Sequence, residues 1–94
     1  MRLRVEELHF DDKSREKLAS HGVSIRAARQ VFYERPKYRK NKKNRAATHK
    51  MIGPDRGGAM WTICIKETDY QPGLWRVING WPAEDEDKNW HRRN

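Results

Sequence analysis

Three apolar runs in the second half of the chain limit its fold most, because each is closed by a cluster of turn-forming residues. The runs and their turns are AATHKMI with GPDRGG, MWTICIKE with TDYQPG, and LWRVINGW with Pro82. Short strands joined by loops rich in Gly and Pro usually pair with their neighbours along the chain. We therefore expect a three-stranded antiparallel meander.

Side-chain alternation in the last two runs predicts which face of this sheet is buried. Residues of one parity are all apolar, and they are Trp61, Ile63, Ile65, Trp75 and Val77. Residues of the other parity are mixed, and they are Thr62, Cys64, Lys66, Arg76 and Ile78. We expect helices to cover the apolar face, and the polar and basic face to stay largely open.

The first run leaves its register open, since both of its faces carry polar and apolar residues. His49 and Met51 share one face, whereas Lys50 and Ile52 share the other. Either register places a basic group on the open face.

The first half of the chain predicts one strand and two helices. Residues 2–10 read as a strand with a bulge near Glu6 and Glu7, because the apolar parity changes there. A first helix begins at Asp11 or Asp12 and ends at Gly22, and a second begins at Ser24 and ends before Pro36.

The final segment, PAEDEDKNWHRRN, predicts a third helix with Pro82 in its first turn, acidic residues next and basic residues at its end. A chain of 94 residues is long enough for one modest core. The expected fold is therefore a single α+β domain over residues 1–94, in the order β-α-α-β-β-β-α, with an antiparallel sheet packed on helices on one face.

The positive charge is concentrated in one window, from Arg35 to Lys50. This window holds eight Lys or Arg and no acidic residue, whereas the other thirteen basic residues are balanced by thirteen acidic ones, so it accounts for the net charge of +8. Such a block usually has an anionic partner, and nucleic acid is the leading candidate. The alternative is a loop that keeps the protein soluble or docks on an acidic protein.

We expect the segment from Arg35 to Arg45 to be a basic loop, mobile as far as Lys43, since its charges lack acidic partners nearby in the sequence.

Several classes of protein are disfavoured by the composition. The single Cys64 cannot form an intramolecular disulfide, and the four His residues, at 9, 21, 49 and 91, lack metal-ligand spacing, so we expect neither a metal nor another cofactor. The chain has no apolar run of roughly 18 residues and no signal-peptide pattern at its N-terminus. A cytoplasmic location without membrane contact is the expectation.

Short strings of the chain resemble the BrnT-like branch of the RelE superfamily of bacterial toxins. They are KLASHGVSIRAARQVF after Asp11 and Asp12, an extended run ending in MIG, and WRVINGWPAEDEDKNWHRR. The resemblance implies the toxin of a type II toxin–antitoxin system, a metal-independent endoribonuclease. Such enzymes cut messenger RNA, in some cases on the ribosome, through attack of a ribose 2′-OH on the adjacent phosphate. The implied partner is an acidic antitoxin with a DNA-binding domain.

The resemblance and the strand pattern together supply candidate site residues. Arg76 occupies the position of an Arg in the family's closing strand, so phosphate contact is expected there. His49 is the candidate acid or base if its strand turns it toward Arg76, Lys50 replaces it in the other register, and His91 is a further candidate. Candidate RNA-binding residues are Lys37, Arg39, Lys40, Lys42, Lys43, Arg45, Trp90 and Arg92. His9 and His21 are interpreted as structural.

The competing hypothesis is a non-catalytic nucleic-acid-binding or adaptor protein that uses the same basic surface.

Overall fold

The computed structural model describes residues 3–41 and 46–94 as three helices and a five-stranded sheet. The elements in chain order are β1 (Glu7–His9), α1 (Asp12–Ser20), α2 (Ile25–Tyr33), β2 (Lys37–Lys40), β3 (His49–Pro54), β4 (Met60–Glu67), β5 (Leu74–Pro82) and α3 (Asp85–Arg93). The expected meander is confirmed, since β3, β4 and β5 pair consecutively and antiparallel. The α+β class is confirmed as well.

The sheet is mixed rather than antiparallel, with the strand order β1-β5-β4-β3-β2. β1 lies parallel to β5, so the expectation of a purely antiparallel sheet is wrong. The irregularity predicted at Glu6 and Glu7 is present, because both of their amides donate to the Gly73 carbonyl, at 2.9 and 3.1 Å. The indole N–H of Trp75 also donates to the Arg4 carbonyl at 2.9 Å, which fixes the entry to β1 against β5.

Part of the expected basic loop is a fifth strand, β2, which pairs with β3 at one edge of the sheet. The prediction of a loop is therefore wrong for Lys37–Lys40, and its mobility stays a prediction. Tyr38 packs against the core from this strand, and burial raises the pKa of its hydroxyl to about 12. The rest of the predicted loop, residues 42–45, lies outside the described residues.

The two faces of the sheet differ in what covers them. The core face carries Met51, Ile63, Ile65 and Val77, all at most 1% exposed, beneath α1 and α2. The opposite face, here called the basic face, carries Arg39, Lys50, Lys66 and Arg76, as the strand register requires.

The caps of α1 and α2 agree with the sequence pattern. Asp11 accepts a hydrogen bond from the Ser14 amide at 2.7 Å, and Ser24 accepts one from the Ala27 amide at 3.0 Å. Gly22 follows α1 with a φ of 76°, in the left-handed region that glycine adopts without steric cost. Leu18 of α1 and Val31 of α2 are fully buried by this packing.

The third helix departs from expectation in its start and in its position. Pro82 is the last residue of β5, and Glu84 is the N-cap of α3. α3 packs on the basic face, not beside the other two helices, so the expected one-sided helical layer is wrong. Within the described residues, no helix is both long and apolar enough to cross a membrane.

Candidate nucleic-acid interface

The strand register arranges the side chains of the basic face in rows that run across the sheet. The first row is His9, Arg76 and Lys66; the second is Asn79, Cys64, Lys50 and Arg39; the third is Trp81, Thr62, Ile52 and Lys37. Consecutive rows are about 6 to 7 Å apart, since residues on one face of a strand are two positions apart. Thr62 and Ile52 are 0% exposed and Cys64 is 4% exposed, so only part of this face is open.

A register shift in β5 decides which of its residues reach this face. Cys64 pairs with Asn79 while Ile65 pairs with Val77, which leaves Ile78 as an extra residue. One extra residue reverses the faces beyond it, so Asn79 and Trp81 join the basic face. The expectation that Ile78 continues the face of Arg76 is therefore wrong.

Asp87 of α3 neutralises part of the positive charge on this face. Its carboxylate accepts hydrogen bonds from the Thr62 hydroxyl at 2.9 Å and from the Arg39 guanidinium at 3.0 Å. The ammonium of Lys50 lies 3.7 Å from the same carboxylate. Asp87 is only 5% exposed, so α3 is anchored through a buried carboxylate.

Further residues expected to bind RNA contact α3 in the same region. Lys37 donates to the His91 carbonyl at 2.7 Å, and the Arg39 guanidinium lies 5.4 Å from the centre of the Trp90 ring. Burial, and then the charge of Lys37, lower the pKa of His91. These contacts hold α3 on the sheet, so Lys37, Arg39 and Trp90 are engaged within the protein. Arg92 donates to Asn89 at 2.8 Å from an exposed position at the end of the helix.

The first row lies beyond α3 and is exposed. Among residues 3–41 and 46–94, His9, Arg76 and Lys66 have no carboxylate oxygen within 4.0 Å, in contrast to Arg39 and Lys50. The three residues line a cleft of about 210 Å³, together with Asp11 and the loop residues Glu67 to Tyr70.

The pKa of Asp11 reflects the positive charge of this cleft. The pKa of its carboxyl is lowered mainly by the hydrogen bond from the Ser14 amide, and the positive charges of Arg76 and His9 contribute in the same direction. The hydrogen bond from the Ser14 amide fixes the orientation of this carboxylate. The positive charges of the first row stabilise its ionised form. Cations without close partners in a cleft are suited to binding a phosphate group.

A larger cleft, of about 650 Å³, lies over the second row. The polar and aromatic residues that line it include Lys17, Lys40, Lys50, Asn79, Trp81 and the acidic Glu84 and Glu86. An aromatic ring and an amide beside several cations provide stacking, hydrogen bonding and phosphate contact for an unpaired nucleotide. Burial raises the pKa of the Cys64 thiol in this row to about 11, so the thiol is protonated near neutral pH and is a poor nucleophile.

The register of β3 places His49 and Arg76 on opposite faces of the sheet. His49 pairs with Ile65 on the core face, and its ring lies edge-on to that of Trp75 at 5.3 Å. Of the two registers that the sequence left open, the structure has the one that places Lys50, and not His49, on the face of Arg76. A catalytic role for any of these residues stays a prediction.

Sequence reasoning missed two members of the first row, His9 and Lys66. Lys66 pairs with Arg76 within the predicted meander, whereas His9 reaches Arg76 only through the parallel pairing of β1 with β5. No local signal in the chain indicates that pairing. Lys42, Lys43 and Arg45, also predicted to bind RNA, lie outside the described residues.

The described part of the chain holds no group of three His, Cys, Asp or Glu side chains close enough together to ligate a metal ion.

Comparison with known proteins shows the fold. No family model matches the sequence, and no curated protein matches it. The chain is similar to the crystal structure of the Brucella abortus ribonuclease toxin BrnT, with a TM-score of 0.62 and 20% sequence identity, over 86% of this chain and 100% of that one.

Proposed function

We propose that this protein is a ribonuclease toxin of BrnT type that cuts messenger RNA on its basic face. The proposal is supported by the likeness of its fold to that of a ribonuclease toxin. The observation that carries it is the first row. Its three basic side chains line one cleft and, among the described residues, have no carboxylate oxygen within 4.0 Å, although Asp11, Glu67 and Asp69 line the same cleft. A phosphodiester is the substrate group that such a row suits best.

The chemistry proposed is attack of a ribose 2′-OH on the adjacent phosphate. Positioned acids and bases each contribute about 10²- to 10⁴-fold to such a reaction, and preorganised positive charge contributes a comparable factor. Arg76 contacts the phosphate, and Lys50, in the second row, contacts the neighbouring part of the RNA. Side chains of the protein supply these roles, in keeping with the metal-independent mechanism that the sequence resemblance implies.

We further propose that an acidic antitoxin covers this face and that the protein acts in the cytoplasm on mRNA. The row of cations that binds RNA also provides the surface that an acidic partner would recognise. Membership of the wider RelE superfamily stays a prediction.

The test is induced expression of the wild type beside Arg76→Ala, with growth followed and transcript 5′ ends mapped in the same cultures. Arg26→Ala is the matched control, because Arg26 is exposed on α2 and α2 packs on the core face. We expect growth arrest and new internal transcript ends for the wild type and the control. Arg76→Ala should remain soluble and folded but produce neither effect.

The second candidate is a non-catalytic RNA-binding protein, which the cleft lined by Asn79 and Trp81 favours. Wild-type protein that binds RNA with no new transcript ends would support this alternative over the nuclease.

A further inference from the structure

We propose that the scissile phosphodiester lies over the first row, with Arg76 on the phosphate oxygens, His9 as the general base and Lys66 as the general acid. This inference rests on the proposed ribonuclease function and assigns its catalytic residues. It replaces His49 with a histidine that the sequence analysis had interpreted as structural.

The order of the three residues across the sheet carries the proposal. Arg76 pairs with His9 of β1 on one side and with Lys66 of β4 on the other. Neighbouring strands are about 4.8 Å apart, so His9 and Lys66 lie on opposite sides of Arg76 with roughly 10 Å between their backbones. In a phosphoryl displacement the attacking and leaving oxygens are roughly in line across phosphorus, so a base and an acid must approach from opposite sides. A phosphate held by the central Arg76 meets this requirement.

The other three histidines are placed less well for this reaction. His49 lies on the core face, His21 follows α1 with its ring 6.1 Å from that of Trp81, and His91 lies in α3 beside Lys37. None of them belongs to the row of Arg76. His9 is exposed in the same cleft as Arg76 and Lys66.

The electrostatic environment separates this row from the rest of the basic face. Arg39 and Lys50 share the buried carboxylate of Asp87, which reduces their attraction for phosphate. Among the described residues, the first row has no carboxylate oxygen within 4.0 Å, although Asp11, Glu67 and Asp69 line the same cleft, and its positive charge acts on Asp11. Positive charge that is preorganised where the transition state gains negative charge is the larger contributor to many enzymatic rates.

Each proton in the proposed step has a source and a destination. The 2′-oxygen bonds to phosphorus while its proton passes to the imidazole of His9. The bond from phosphorus to the 5′-oxygen breaks, and the ammonium of Lys66 gives that oxygen a proton. The products are a 2′,3′-cyclic phosphate and a 5′-hydroxyl. His9 then releases its proton to solvent and Lys66 takes one up, so no water is consumed.

The first experiment measures single-turnover cleavage and equilibrium binding of an RNA whose cut site has been mapped with the wild-type protein. His9→Ala is compared with His49→Ala and with the control His21→Ala. We expect His9→Ala to slow cleavage by about 10²- to 10⁴-fold with RNA affinity within roughly threefold of wild type. Added imidazole should restore part of the rate, which a variant with a purely structural defect would not show.

The second experiment separates the acid from the base. Sulfur in place of the 5′-oxygen at the cut site gives a leaving group that is stable without a proton, since thiols ionise near pH 8.5. We expect this RNA to restore Lys66→Ala to nearly the wild-type rate and to leave His9→Ala slow.

The outcomes distinguish this inference from the proposed function. Wild type that cuts RNA, with His9→Ala cutting at the same rate or with the loss found in His49→Ala instead, would overturn the inference and leave the ribonuclease in place. Lys66→Ala that stays slow on the sulfur-containing RNA would overturn the role of Lys66. Wild type that binds RNA without cutting it would overturn the ribonuclease itself, and the inference with it.

Discussion

At the scale of single residues, Asp87 shows how one buried carboxylate positions an element. It lies in the first turn of α3, a position that favours negative charge, and its partners come from three different strands. The strand partners are what make this one carboxylate different from its neighbours.

The first prediction is that Asp87→Ala lowers the free energy of unfolding by about 2 kcal/mol, because Thr62, Arg39 and Lys50 lose their shared acceptor. The effect should be smaller than for a fully buried ion pair, since the side chains of Arg39 and Lys50 remain 18% and 24% exposed and can be hydrated. Urea denaturation measures the free energy of unfolding of the wild type and the variants. Asp85→Ala is the control, exposed in the same turn, and should cost less than about 1 kcal/mol. Equal losses in the two variants would contradict the special role of Asp87.

The second prediction concerns pH and His49. Burial, and then the charge of Lys40, lower the pKa of His49 in the folded state. The unfolded chain therefore binds a proton at a higher pH than the folded protein does, near pH 6.5. As the pH falls below about 6.5, unfolding becomes progressively more favourable until the folded state is also protonated.

The measurement is the urea midpoint at several pH values between 7.5 and 5.5, for the wild type and for His49→Gln. We expect the midpoint to fall with falling pH in both proteins, because the pKa of His91 is lowered as well. The fall should be shallower in His49→Gln. The pKa values of Asp11 and Asp55 are lowered from 3.8, so their contributions to the free energy of unfolding change only at more acid pH. Identical pH dependence in the two proteins would contradict the assignment.

At the scale of elements, the fit between α1 and β5 depends on Gly80. A β-carbon at this position would lie 2.7 Å from a methyl group of Leu18, 3.0 Å from one of Ile63 and 3.2 Å from the Thr62 carbonyl. The missing side chain is therefore what allows α1 to approach the sheet so closely.

The third prediction is that Gly80→Ala destabilises the protein by about 1 to 3 kcal/mol, because α1 must move away from β5. Gly57→Ala is the control, since a β-carbon there comes no closer than 3.4 Å, to a side-chain oxygen of Asp55. Thermal unfolding followed by circular dichroism compares the two variants. A melting temperature for Gly80→Ala equal to that of the control would show that the contact is easily relieved.

At the scale of the whole molecule, the net charge of +8 equals the excess of basic residues between Arg35 and Lys50. Arg39 and Lys50 are paired with α3, whereas the first row and Lys17 face open clefts. Affinity for RNA should therefore depend on salt through the cations of these clefts, together with whatever residues 42–45 add.

The fourth prediction is a linear fall of log affinity for single-stranded RNA with log salt, of slope about −4 if roughly six phosphates are neutralised. Lys66→Glu should reduce the magnitude of this slope by about 1 or more. Arg26→Glu makes the same change of charge on α2, beyond the core face, and should leave the slope nearly as in the wild type. Equal effects of the two substitutions would indicate attraction by net charge alone, without a defined surface.

The sequence by itself determined the features that depend on neighbouring residues. Asp11 and Ser24 cap their helices, Gly22 ends the first, and alternation from Trp61 to Ile65 identifies the core face, because each of these signals is local. The tertiary structure alone decided that β1 lies parallel to β5, that Lys37–Lys40 is a strand, and that α3 lies on the basic face. Those outcomes depend on contacts between segments that are distant in the sequence. Tyr38 packs against the core, and Asp87 forms an ion pair with Arg39. Strand pairing likewise separates His49 from Arg76 and brings His9 beside it.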